Sequence, residues 1–186
     1  MRIIGGLFKG KLITSLRNSN TRPLRDAVKE NIFNILLHSK IIKINLTKSN
    51  VLDVYSGIGS FGLECLSRGA RKVSFVESDK LASKILKENI QILSQFDKSS
   101  VYNEKLENFL KNEKEEKYNI FFFDPPFSDK TFVENLNQIK KNEIFKKNHL
   151  IIIHRESKTE DKLDDYMDTI LTRRYGRSKI IFGLFN

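Results

Sequence analysis

Apolar residues in this chain fall into short runs separated by stretches with helical spacing. Val51, Leu52 and Val54, then Val73 to Val76, Ile120 to Phe123 and Leu150 to Ile153, are too short for buried helices and read as covered strands. Between them, apolar positions recur three and four residues apart. The pattern predicts strand 51–55, helix 60–68, strand 72–77, helix 80–94, strand 100–103, helix 105–112 and strand 119–124, followed by a helix near 131–141 and the strand Leu150–Ile153. Such alternation predicts an α/β fold with parallel strands and helices on both faces. Asp168–Arg173 and Lys179–Phe185, separated by Tyr175 and Gly176, read as a hairpin, so the sheet should finish in an antiparallel pair.

Ahead of the first core strand, Met1–Ile13 reads as a short hairpin with Lys9, Gly10 and Lys11 in its turn. Asn18–Pro23 is then an irregular loop. Leu24–Leu37 is a helix with the apolar stripe Ala27, Ile32, Phe33, Leu36 and Leu37. Ser39–Asn50 is too short a connector to separate independent domains. Residues 1–45 are expected to form an extension of hairpin and helix that binds RNA, and residues 46–186 the main domain. A chain of 186 residues suffices for one well-buried core.

Charge adds a partner class. There are 33 Lys and Arg against 23 Asp and Glu, a net +10 that suits an anionic partner. Residues 1–40 hold eight basic and two acidic residues, and Arg2, Lys9, Lys11 and Arg22 are the candidates there. A second basic knot is Arg173, Arg174, Arg177 and Lys179. The plainer reading of both is a solvated surface. The one cysteine, Cys65, excludes an internal disulfide. No apolar run approaches the roughly 20 residues that span a bilayer, and no secretory segment is seen, so a cytoplasmic protein without a membrane partner is expected. His38, His149 and His154 lack metal-ligand spacing, and no metal is expected.

The chemistry concentrates where strands end. Gly57, Gly59 and Gly62 follow the strand ending near Val54: the first for a tight turn, the second for close approach of backbone N–H groups to a ligand, the third for helix packing. A G-x-G-x-x-G pattern alone also fits nicotinamide-cofactor enzymes. Asp53 would repel a pyrophosphate but suits the ammonium or sulfonium of S-adenosylmethionine; it also reads as a cap for the N–H groups of the turn. Glu77, at the end of the next strand, is placed for ribose hydroxyls. The discriminating residues are Asp124, Pro125, Pro126 and Phe127, directly after Ile120–Phe123. Two prolines fix the backbone there, so an Asp carboxylate and a Phe ring are held at the ligand-binding edge of the sheet. An acceptor, two prolines and an aromatic suit the grip on an exocyclic amino group of a planar base. The ring would stack on the base.

These motifs resemble the class I S-adenosylmethionine-dependent methyltransferases, and within them the RsmD family, which methylates guanine N2 in 16S ribosomal RNA of the small subunit. The resemblance rests on MRIIGG with the following KGKL, TRP before the first helix, KENIFNIL within it, VLDVYSGIGSFGLECLSRGA, FVES, FFFDPPF and YGRSKIIFGLF. It implies a Rossmann-like sheet of seven mostly parallel strands, with S-adenosylmethionine bound by Asp53, Tyr55, Ser56, Gly57, Gly59, Glu77, Ser78 and Asp124. Catalysis would fall to Asp124, Pro125, Pro126 and Phe127. The RNA would be held by Arg2, Lys9, Lys11, Arg22 and Phe127. It further implies guanine 966 as the target, within an assembling small subunit, and a monomeric enzyme.

The reaction so implied is direct in-line transfer, with Asp124 and the Pro125 carbonyl accepting the two amino protons of a flipped-out guanine. This chain departs from the family at two places. The acid expected after the third strand falls among Asn103, Glu104 and Lys105, and the acid expected to end the fifth is replaced by His154, which receives no role. An adenine-N6 methyltransferase and a non-catalytic RNA-binding module of the same fold remain as alternatives.

Overall fold

The computed structural model describes residues 1–16, 24–112 and 115–186. Seven strands form one sheet: β1 Asn50–Val54, β2 Lys72–Val76, β3 Ser99–Tyr102, β4 Tyr118–Phe123, β5 Phe145–Glu156, β6 Met167–Tyr175 and β7 Ser178–Phe185. Their order is β3-β2-β1-β4-β5-β7-β6. β1 to β5 are parallel, and β7 runs antiparallel between β5 and β6. The terminal hairpin is therefore folded into the sheet second strand first. The more apolar strand takes the inner place: Ile180, Ile181 and Phe182 of β7 are buried, whereas β6 at the edge exposes Asp168, Thr169, Arg173 and Arg174.

Helices α1 Asp26–His38, α2 Ser60–Ser67 and α3 Lys80–Leu93 cover one face; α4 Leu106–Asn112 and α5 Phe132–Asn142 cover the other. Strand alternation divides the core accordingly. Val51, Phe122 and Ile152 face the first three helices, and Leu52, Phe121, Phe123 and Ile153 face the last two. On the first face the rings of Phe33, Phe61 and Phe122 stack in a column, with centroid separations of 5.3 and 3.9 Å. Each buried ring contributes roughly 1.5–3 kcal/mol. The column clamps β4 two residues before Asp124.

One boundary needs correction. β5 begins at Phe145, five residues before the predicted strand, because Phe145 already pairs with Tyr118 while the polar Lys146, Lys147 and Asn148 fall within a register shift, ahead of the pairing of Ile120 with Leu150. The expected hairpin of residues 1–13 is present as an antiparallel segment with an isolated bridge, Arg2 to Leu12, in which Ile3 N–H donates to Lys11 O at 3.0 Å, Gly10 N–H to Ile3 O at 2.8 Å and Ile13 N–H to Met1 O at 2.9 Å. Its backbone also bonds to α2. Ile4 N–H donates to Glu64 Oε2 at 2.9 Å, Leu7 N–H to Ser67 O at 2.7 Å and Phe8 N–H to Ser67 Oγ at 3.0 Å. Gly6, at φ +75, leaves no room for a Cβ, which would stand 2.0 Å from Ser67 O. Ile3 and Ile13 join the core cluster of α1 and α2, so this segment packs on the sheet's helices.

Candidate active site

β1 continues to β2 on one side, while its other neighbour is β4, so the topology reverses between β1 and β4. A crevice opens at their carboxyl ends. Val54 pairs with Phe123, which sets Tyr55 and Asp124 side by side just beyond the ladder. The Asp124 N–H donates to Val54 O at 3.4 Å.

The glycine turn holds itself through the two acids predicted near it. Asp53, 1% exposed, accepts the Gly62 N–H at 2.9 Å on Oδ2. Burial pushes its carboxyl well above the ordinary range, the Gly62 bond opposes this, and the charges of Asp124 and Glu77 push it further up. Glu77 accepts the Gly57 N–H at 2.7 Å on Oε2 and the Asp79 N–H at 2.7 Å on Oε1. The Gly59 N–H donates to Ser56 O at 2.8 Å, and a Cβ there would stand 2.4 Å from Leu86 Cδ1, so the position serves the turn and the packing of α3. Gly62 does serve helix packing, since its Cβ would meet the Phe75 ring at 2.2 Å. Ser56 is buried, with its N–H on Val76 O at 3.1 Å.

Beyond β4, Pro125 is buried, Pro126 exposed, and Asp124 and Phe127 half-buried. Asp124 Oδ1 lies 2.8 Å from His154 Nδ1, and His154 Nε2 lies 3.0 Å from Ser178 Oγ. The Phe127 ring meets the His154 ring edge-on at 5.5 Å. Arg155, 1% exposed, supports the loop from beneath: it donates to Pro126 O at 3.1 Å and Phe127 O at 3.3 Å, and takes Asp161 at 3.2 and 3.1 Å. Its guanidinium sits 4.5 Å over the Phe132 ring. Sequence reasoning gave neither His154 nor Arg155 a part. The signal was a polar His-Arg-Glu directly after the apolar Leu150–Ile153, legible only once β5 is known to lie beside β4.

A cleft of about 200 Å³ lies on the other side of the turn, lined by Val54, Tyr55, Glu77, Ser78, Glu104, Lys105, Leu106 and Asn135 among others. Tyr55, with φ +61, turns its hydroxyl to accept from the Asn135 amide, and burial, followed by the charge of Asp129, raises its pKa. Asn103 donates its amide to Glu77 O at 2.8 Å and Ser78 O at 3.3 Å, which braces the cleft wall and leaves Glu104 on the lining.

The basic residues divide. Lys9 and Lys11 are exposed beside residues bonded to Ser67, at the last turn of α2; an eight-residue helix places them roughly 12 Å from the glycine turn. Arg2 pairs with Asp26 at 3.3 Å, and Arg22, with the whole of residues 17–23, lies outside the described residues. Because β6 runs parallel to β5 across the antiparallel β7, the Arg173, Arg174 and Arg177 end of the hairpin shares the sheet edge of Asp124. Arg177 also pairs with Glu156 at 3.1 Å. Among the described residues no three His, Cys, Asp or Glu side chains gather as a metal site, and no helix is long and apolar enough to cross a membrane.

The family model for conserved hypothetical protein 95 matches residues 1–183. Ribosomal RNA small subunit methyltransferase D of Haemophilus influenzae is 35% identical over 158 residues, covering 84% of this chain and 79% of that protein. The protein of the same name from Escherichia coli is 32% identical over 156 residues, covering 84% and 75%. A solved Escherichia coli structure named "Putative methyltransferase yhhF" matches with a TM-score of 0.84 at 26% identity, over 100% of this chain and 98% of that one.

Proposed function

We propose that this chain, which belongs to the RsmD-type family whose model matches residues 1–183, methylates the exocyclic N2 amino group of a guanine in small-subunit ribosomal RNA, with S-adenosylmethionine as donor. Its fold is the Rossmann-like fold of class I methyltransferases. The observation that carries the reading is Asp124, fixed at the carboxyl end of β4 on the switch-point edge, one turn away from the cleft that Glu77 lines.

The cleft suits a cationic nucleoside. Glu77 and Glu104 offer acceptors on its rim, and Val54, Val76 and Leu106 supply apolar walls. When bound, S-adenosylmethionine supplies an electrophilic methyl group: the N2–carbon bond forms as the carbon–sulfur bond breaks, the electron pair stays on sulfur, and a proton leaves the nitrogen. Asp124 Oδ2 and the Pro125 carbonyl would accept the two N–H groups of the target and turn its lone pair toward the methyl. Holding the reacting atoms within about 3–3.5 Å is itself a large part of such an acceleration. Phe127 would stack on the base, and the target must be unpaired or flipped to reach this edge.

Arg173, Arg174 and Arg177 are exposed cations on that edge and would hold the adjoining phosphates, with Lys9 and Lys11 as a more distant contact. Its place of action on this reading is the cytoplasm, on an assembling small subunit. The test is incubation of the purified protein with small-subunit ribosomal RNA and methyl-labelled S-adenosylmethionine, followed by nuclease digestion and mass mapping. N2-methylguanine is expected. Label on adenine N6 would replace the guanine reading, and retained RNA without label would make the protein a binding module.

A further inference from the structure

We propose that His154 is a positioning residue for Asp124, pinning one carboxylate oxygen so that the other is presented to the acceptor amino group. The inference rests on the methyl-transfer reading of this site. Asp124 is an acceptor, so the 2.8 Å contact requires a proton on His154 Nδ1. In the neutral imidazole, Nε2 then carries a lone pair, and the Ser178 hydroxyl at 3.0 Å donates to it. The result is a directed chain from Ser178 through His154 to Asp124, drawn from β7, β5 and β4.

Its physical purpose follows from the side chain it ends on. The terminal torsion of an aspartate is broad and roughly twofold, so an unpartnered carboxylate at a strand end samples many orientations. The imidazole removes that freedom. It is itself immobile: His154 is 4% exposed, lies in the ladder opposite Ile180, and meets the Phe127 ring edge-on. With Oδ1 taken, Oδ2 is the oxygen left for substrate. The two prolines fix the backbone of this loop, and His154 fixes the one side chain whose direction they cannot.

The test separates donor geometry from mere packing. In His154→Asn the amide nitrogen stands where Nδ1 stood and can still donate to Asp124; in His154→Gln it reaches the Nε2 position instead. His154→Ala and His154→Gln are expected to lower kcat about ten- to a hundredfold, the range for loss of a hydrogen bond to a charged group, with S-adenosylmethionine affinity within about twofold of wild type. His154→Asn should recover most of the loss. Ser178→Ala should cost less, about three- to tenfold, as a neutral bond would.

Equal activity of the Asn and Gln variants, or a His154→Ala enzyme near wild type, would overturn the proposal. If His154→Ala does not fold by thermal melting, the Asn and Gln pair decides alone. Asp124→Ala is measured alongside. Wild-type protein that transfers no methyl, or an Asp124→Ala variant that transfers normally, defeats the underlying reading instead, and the two failures are distinguishable.

Discussion

Glu77 Oε2 accepts the N–H of Gly57 at 2.7 Å, so the acid that ends β2 holds the glycine turn that leaves β1. Its other oxygen accepts Asp79 N–H, and Asp79 in turn caps α3 through Ala82 N–H at 2.7 Å. One carboxylate thus ties two turns and a helix start to the rim of the cleft.

Glu77→Gln should therefore affect more than ligand binding. A glutamine has one acceptor where two backbone N–H groups point, and its amide would face one of them donor to donor. Loss of a bond to a charged acceptor costs roughly 1.5–3 kcal/mol. Calorimetry should show weaker S-adenosylmethionine binding, and the thermal midpoint should fall with it. An unchanged midpoint would mean the turn stands without Glu77.

Asp53→Asn is expected to behave in the opposite way. Asparagine keeps an oxygen for the Gly62 N–H and removes a buried negative charge. Because the folded pKa of Asp53 lies above its ordinary 3.8, the folded state holds more protons between those values, and stability falls as pH rises through that window. The variant should lose this slope and be at least as stable at pH 7. If Asp53 faces the cationic end of the cofactor, affinity should drop about ten- to a hundredfold; unchanged affinity would leave Asp53 as a turn anchor alone.

His149 sets an acid limit on stability. Its Nδ1 bonds Lys146 O at 2.9 Å and its Nε2 accepts the Phe185 N–H at 2.9 Å, an arrangement that requires a neutral ring. Burial lowers its pKa below the ordinary 6.5, so its contribution is complete above that value and is lost as pH falls through it toward the folded pKa. Urea melts from pH 7 to pH 5 should lose stability in the wild type, with a shallower slope in His149→Gln. Parallel slopes would remove His149 from the account.

The basic residues on the active-site edge should govern RNA grip. Removing a cation that neutralises one phosphate of an unpaired strand flattens the plot of log affinity against log salt by about 0.7. Arg173→Ala with Arg174→Ala should weaken binding and flatten that slope more than Lys9→Ala with Lys11→Ala. The lysines stand at the far end of α2, away from Asp124. A larger effect of the lysine pair would move the RNA path to the amino-terminal segment.

Much of this molecule is written in local pattern. Runs such as Ile120–Phe123 reveal buried strands because a covered strand must be apolar on both faces, and the alternation with helical stripes compels parallel order. Gly62 and Asp53 were legible because a strand-to-helix turn needs a close approach and an acceptor for its N–H groups; Glu77 was legible as a ribose acceptor, and its hold on Gly57 N–H was not. Asp124 to Phe127 stood out because two prolines after a strand have few other uses.

What pattern could not convey is adjacency between strands distant in the chain. His154 reaches Asp124 only because β5 lies beside β4, and Ser178 reaches His154 only because β7 inserts between β5 and β6. The same insertion carries the arginines of the terminal hairpin to the active-site edge. The lysines of the amino-terminal loop are held at the other end of α2, because Glu64 and Ser67 satisfy that loop's backbone. Residue chemistry was therefore decided locally. The partners of each residue were decided by strand order, which depends on how the most apolar strands are buried together and has no local signature.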